Sequence, residues 1–175
     1  VSLALCTGMR RGEILNITWA DVDFENQSIE VAPKAASKYT WRWDVKDYER
    51  RTLPLTEQVC NMLVDRQGEQ PAGYPYVAVP SWRYDNIQQR RAKGPLPERD
   101  RKCPLNNFTK QWQQITAAAK MEDGEFHDLR RTRLTEWLIN SLSEFEVMTL
   151  AGHSSFDTTH RFYLSVRRDV IDRAR

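Results

Sequence analysis

The chain has 175 residues, room for one well-cored domain and too few for two ordinary ones. Hydrophobic residues are 40% and charged residues 29%, which excludes a disordered chain, and no apolar run approaches the roughly 20 residues of a membrane helix. Net charge is only +2, but between Arg83 and Lys102 seven basic residues stand against three acids: either a DNA-attracting patch or a solvated loop.

The first six residues, Val-Ser-Leu-Ala-Leu-Cys, have no basic leader and are too short for a signal peptide. They read as the end of a helix, and a start on Val rather than Met points to a fragment with sequence lost upstream. Residues 13–19 have a helical pattern, with Ile14 and Ile17 on one side. Residues 28–33 alternate Ile29, Val31 and Pro33 against Ser28, Glu30 and Ala32, the period of a strand. A second strand is predicted at 51–55, pairing with the first as a hairpin around 34–50. Thr56 is placed to cap a helix carrying Val59, Met62 and Leu63.

All eight prolines lie between Pro33 and Pro104, so residues 68–104 are predicted to be mostly loop and the last third continuously helical. One helix follows Asn106 with Phe108, Trp112 and Ile115, and the next carries Leu134, Trp137 and Leu138. Ser143-Glu-Phe-Glu146 has capping-box form and starts a short helix that Gly152 stops. A last helix is predicted from Asp157 or Thr158. The fold class is α+β, mainly helical, with a small antiparallel sheet near the front.

Cys6, Cys60 and Cys103 are far apart and form no CxxC pair, which argues against a zinc knuckle or disulfide framework and fits a cytoplasmic protein. The three histidines have no metal-ligand spacing. A lone histidine is usually structural, but His127 and Arg130 stand at i and i+3, on one side of a helix, and present an imidazole and a guanidinium fork to phosphate oxygens. Such a pair is weak by itself. Near the front, Thr7-Gly8-Met9-Arg10-Arg11-Gly12-Glu13 sets an arginine after a glycine turn with a carboxylate three residues on. It is either a helix start favourable to the dipole or an acid-supported phosphate arginine.

Thr-Gly-x-Arg-x-x-Glu, then His-x-x-Arg, then Leu150-Ala151-Gly152-His153, then a terminal tyrosine, resembles in order and separation the tyrosine recombinase, or phage integrase, family. The resemblance covers nearly the whole chain and implies its catalytic domain at residues 1–175, with an upstream core-binding domain absent. It implies that Arg10, His127, Arg130 and His153 are catalytic, that Glu13 supports Arg10, and that Tyr163 is the nucleophile. Tyr163 lies ten residues after His153 where nine is commoner, but the residue at nine, Phe162, has no hydroxyl. The family's hairpin lysine is matched to Lys34, at the end of the strand, with Lys38 and Lys46 as alternatives.

The implied reaction is cleavage and rejoining of double-stranded DNA through a covalent 3′-phosphotyrosine, with no cofactor, metal or ATP. His127 would take the tyrosine proton and the lysine would protonate the leaving 5′-oxygen. The implied assembly is a homotetramer on DNA, acting in the cytoplasm at the nucleoid. Arg90, Arg91, Lys93, Arg101 and Lys102 are expected to contact DNA. The tail from Leu164, with Val166, Val170 and Ile171, would dock on a neighbouring subunit or pack on its own domain. A type IB topoisomerase and a DNA-binding remnant that no longer cuts are the competing readings.

Overall fold

The structure is a computed structural model and describes residues 1–46, 50–105, 108–121, 123–161 and 163–164. Two short helices open it, α1 (Ser2–Thr7) and α2 (Arg11–Asn16), followed by a 3-10 turn (Trp19–Asp21). Strands β1 (Val22–Asp23), β2 (Ser28–Val31) and β3 (Arg51–Pro54) form an antiparallel sheet in that order. Then come α3 (Glu57–Gly68), α4 (Ser81–Arg91), α5 (Glu98–Lys102), α6 (Phe108–Ala118), α7 (Phe126–Ile139) and α8 (Glu144–Ala151). A last helix, α9, covers the described residues of 156–164.

The predicted hairpin is present. Ile29 pairs with Leu53 and Val31 with Arg51, so Ile29, Val31 and Leu53 point inward while Glu30 and Thr52 point out. Thr56 caps α3, its hydroxyl accepting from the Val59 N–H. Ser143 and Glu146 exchange backbone and side-chain hydrogen bonds as a capping box, and Gly152, at φ +62°, ends α8 in the left-handed region.

The sheet and α3 bury one face against α1, and α1 packs on α7. The core runs through Ile17, Ile29, Leu53, Leu63, Ile87, Leu134 and Val147, all at most 2% exposed. Trp41 closes it on one side. Its ring stacks on Tyr76 at 4.0 Å, its indole N–H donates to Asn16 Oδ1 at 2.8 Å, and its backbone N–H donates to the Tyr76 hydroxyl. Tyr74 and Tyr84 join the same aromatic group, so these three tyrosines serve packing. Tyr48 and the tail beyond Leu164 lie outside the described residues.

The structure corrects several sequence expectations. Residues 68–104 hold two helices the sequence reading did not place, α4 and α5, although just over half of the stretch lies outside helices. Pro80 and Pro97 occupy the N-cap positions of these helices, where no N–H is needed, so the prolines start helices instead of forbidding them. Arg83 and Ile87 then fall on one buried face. The helix read over 13–19 ends at Asn16, because Ile17 is extended and Trp19 begins the 3-10 turn. The strand read to Pro33 ends at Val31, and α9 starts at residue 156. Met62 and Ile115 are partly exposed at 39% and 46%, so neither is a core residue.

Leu134 is 1% exposed and lies at the contact of α7 with the α1 turn. Leu134→Ala should therefore cost about 2–5 kcal/mol of stability, read as a lower urea midpoint at unchanged slope.

Candidate active site

The turn after α1 explains the first motif. Gly8, at φ +64°, caps α1 and redirects the chain so that Arg10 becomes the N-cap of α2. Glu13 is then at the third helical position. Its carboxylate accepts the Arg10 backbone N–H at 2.7 Å and the guanidinium Nη1–H at 2.9 Å. The spacing Arg-x-x-Glu is thus a helix cap whose acidic member also orients the arginine.

Glu13 has a second cation that sequence reading did not single out. Arg51 donates from Nη2 to Glu13 Oε2 at 2.6 Å, with both side chains at most 4% exposed. The signal in the sequence was an arginine at an inward register position of β3, alternating with Leu53. Buried carboxylates are normally raised by desolvation. At Glu13 the charge and hydrogen bond of Arg51 outweigh that effect, Arg10 adds to it, and the carboxyl is held below its usual range.

Three guanidiniums converge on the end of α8. Arg51 Nε–H donates to the Leu150 carbonyl at 2.9 Å, Arg130 Nη2–H to Ala151 at 2.7 Å, and Arg10 Nη2–H to Gly152 at 2.7 Å. These are carbonyls a helix C-terminus leaves without intrahelical partners, and the negative end of the helix dipole favours cations there. Arg130 also donates from Nη1 to the Gly8 carbonyl at 2.7 Å, tying α7 to the α1 turn. Each guanidinium has five N–H donors, so Arg10 and Arg130, which use two each in these bonds, keep donors for a ligand. Gly152 is required by this packing as well as by its backbone. A Cβ there would lie 2.8 Å from Arg51 Nη1.

His127 stands on the first turn of α7, beside Arg130. Arg10, His127 and Arg130 line one cavity of about 690 Å³, walled by Phe108, Trp112 and Phe126. His153 follows the α8 cap, its backbone N–H donating to the Met148 carbonyl. Its Nδ1 is 2.8 Å from the hydroxyl of Thr159, a fully buried α9 residue also not singled out from sequence. Burial, then the charges of Arg130 and Arg10, lower His153 to about 4. Burial and Arg130 also lower His127. Both imidazoles are therefore neutral at pH 7. Burial and Arg10 lower Arg130 to about 9, which leaves it charged at pH 7.

Tyr163 lies on α9. Its ring stacks on His160 at 6.3 Å, and His160 Nδ1 is 2.7 Å from Glu144 of α8, so the tyrosine helix is tied back to the helix that gathers the arginines.

The lysines separate clearly. Lys34 Nζ is 2.7 Å from Asp21 in an ion pair whose side chains are 10% and 12% exposed, and it lies over the Trp43 ring. Lys38 is exposed beside Tyr39. Lys46 is exposed and lines a second cavity of about 530 Å³ together with Arg10, Glu13 and Lys102. Among the expected DNA contacts, Arg90 is paired with Asp100 and Lys102 with Glu98, both at 2.5 Å. Arg91 donates to Gln88 and to the Ser37 carbonyl, and Lys93 is exposed.

The phage integrase family model matches residues 1–169, and the chain belongs to that family. It is 25% identical over 183 residues to a protein described as tyrosine recombinase XerC-like from Caldanaerobacter subterraneus subsp. tengcongensis, covering 94% of this chain and 44% of the relative. The fold matches a crystal structure of XerA recombinase at a TM-score of 0.66 and 18% identity, over 99% of this chain and 55% of that one. It also matches the Tn1549 transposon integrase in complex with a circular intermediate DNA, at 0.62 and 18%, over 98% and 56%. The chain spans less than half of the XerC-like relative's length.

Gly152→Ala should destabilise the protein and loosen the site together, since the added methyl displaces Arg51 and the backbone there is left-handed. The expected result is a lower melting temperature with faster amide exchange over residues 150–153. A lower melting temperature with exchange unchanged in that segment would contradict it. Arg51→Met leaves Glu13 buried with one cation fewer and should cost about 3–5 kcal/mol in urea denaturation.

The pH dependence follows from His153. Its folded value, about 4, lies below the ordinary 6.5, so its contribution to stability is full above pH 6.5 and is lost as pH falls toward 4. Denaturation midpoints should drop across that window, and drop less in His153→Gln.

Proposed function

We propose that the chain is the catalytic domain of a site-specific DNA recombinase that cuts and rejoins strands through Tyr163. The observation that carries this is the grouping of Arg10, His127 and Arg130 on one cavity, with His153 following the same α8 end that Arg10 and Arg130 grip. A phosphodiester repels nucleophiles because it is anionic. Two guanidiniums fixed before the substrate arrives neutralise its non-bridging oxygens as charge builds in the transition state. Removing one such donor typically costs on the order of 3 kcal/mol of transition-state stabilisation.

His127, neutral at pH 7, takes the Tyr163 phenol proton as the oxygen attacks phosphorus. A Thr159 hydroxyl that donates to Nδ1 leaves the His153 proton on Nε2, from which the ring hydrogen-bonds a phosphate oxygen. The bond to the 5′-oxygen breaks, and Lys46 supplies the proton that makes it a hydroxyl. Lys46 replaces Lys34 in this role because it shares a cavity with Arg10, while Lys34 is committed to Asp21. The phosphotyrosine bond keeps the free energy of the broken linkage, so the reverse attack rejoins the strand without ATP. The solved complex of the Tn1549 integrase with a circular intermediate DNA supports DNA as the partner. Strand exchange between two duplexes calls for a homotetramer of the longer protein.

The test uses nicked suicide duplexes carrying sites taken from the DNA that flanks the gene. A covalent protein–DNA band on a denaturing gel is expected from the wild type and none from Tyr163→Phe. Arg10→Ala and Arg130→Ala should slow its appearance at least about a hundredfold. Lys46→Ala should slow it, and a 5′-thiol leaving group, which needs no proton, should restore the rate. A matching loss and rescue in Lys34→Ala would return the role to Lys34. No band on any duplex favours a binding remnant, and plasmid relaxation without recombinants favours a topoisomerase.

A further inference from the structure

A third cavity, of about 390 Å³, opens between the 36–42 segment, the C-terminal end of α4 and α5. Three arginines line it, Arg42, Arg91 and Arg101, with Trp41, Pro95 and Leu96 as apolar walls and no carboxylate among the lining residues. Like charges gathered without an acid repel one another, and an anion relieves that repulsion.

The three side chains are prepared for one. Arg91 is held by its bonds to Gln88 Oε1 and the Ser37 carbonyl at 2.8 and 2.7 Å, which fixes its fork. Arg101 Nε is shielded from solvent and has no hydrogen-bond partner among the described residues. A buried donor left unmade is costly and is usually satisfied by a ligand or water. Arg42 is 61% exposed, and its ion-pair partner, Asp44 at 3.3 Å, is itself partly exposed, so the pair is weak and easily exchanged.

The position says which anion. Arg42 and Arg101 are chain neighbours of Trp43 and Lys102, which line the cavity shared by Arg10 and Lys46. Arg10 in turn lines the cavity of His127 and Arg130. The arginine cavity thus lies one residue along the chain from the cavity of Arg10 and Lys46 at two points, and a ligand that spans both must repeat its charge along its length. Building on the recombinase reading above, we infer that Arg42, Arg91 and Arg101 hold a backbone phosphate of the DNA duplex, away from the one that reacts. The site anchors the strand and sets its register against Tyr163. It also sorts the basic cluster. Arg91 and Arg101 face the DNA, while Arg90 and Lys102 are balanced by Asp100 and Glu98.

Fluorescence anisotropy of a labelled 40-base-pair duplex, titrated with this chain at several salt concentrations, tests it. Arg42→Gln/Arg101→Gln removes neither a core contact nor a buried ion pair. It should bind more weakly and lower the slope of log K against log salt by about 0.9, the value for one lost phosphate contact. Arg99→Gln, on α5 but outside both cavities, should leave that slope unchanged within about 0.3 of wild type. An unchanged slope in the double variant overturns the inference. So does an equal loss per charge in Arg99→Gln, which would mean general attraction, or a wild type that binds no duplex. Inorganic phosphate that binds the wild type tightly while the duplex does not compete would assign the cavity to a free anion and also overturn it. Adduct formation is read separately, so a failed cleavage assay with the slope change intact removes the catalytic reading and leaves this one.

Discussion

The end of α8 holds this molecule together. Three successive carbonyls, from Leu150, Ala151 and Gly152, each accept a guanidinium from a different element: β3, α7 and the start of α2. Three cations so close would repel one another in a poorly solvated setting. The helix dipole, the carbonyl lone pairs and the single carboxylate of Glu13 offset that repulsion. One carboxylate does not neutralise three guanidiniums, and the residual positive charge adds to burial in lowering His127, His153 and Arg130. The site is thus set before any ligand arrives, with its charge out of balance in the direction an anion corrects.

The histidines share that field but differ in support. His153 is fixed from behind by Thr159, so the α9 helix helps decide which ring nitrogen bears the proton. His127 takes its place from the first turn of α7, next to Arg130. Both imidazoles and the guanidiniums beside them therefore rest on the same few helix ends, and a change in one moves the other.

Much of this was readable from sequence because the motifs are local. Arg10 and Glu13, or Ser143 and Glu146, sit within one helical turn, so spacing alone dictates that they meet. The hairpin was readable from alternation. One misreading was of proline, taken as a breaker where Pro80 and Pro97 act as helix starts. The pairing of Lys34 with Asp21, thirteen residues earlier, is a contact that strand position does not encode. Arg51 and Thr159 were missed because their importance comes from contacts between separate elements, which no local pattern encodes.

The longest of those contacts carry a consequence for how the protein comes into being. Arg10 reaches across 142 residues to Gly152, Arg130 across 122 to Gly8, and Arg51 across 99 to Leu150. Closing loops of that size is slow and comes late in folding. A growing chain on the ribosome cannot gather Arg10, Arg51 and Arg130 until the segment around residue 152 has emerged and docked. The three-guanidinium grip is therefore assembled only once elements from both halves of the chain have met.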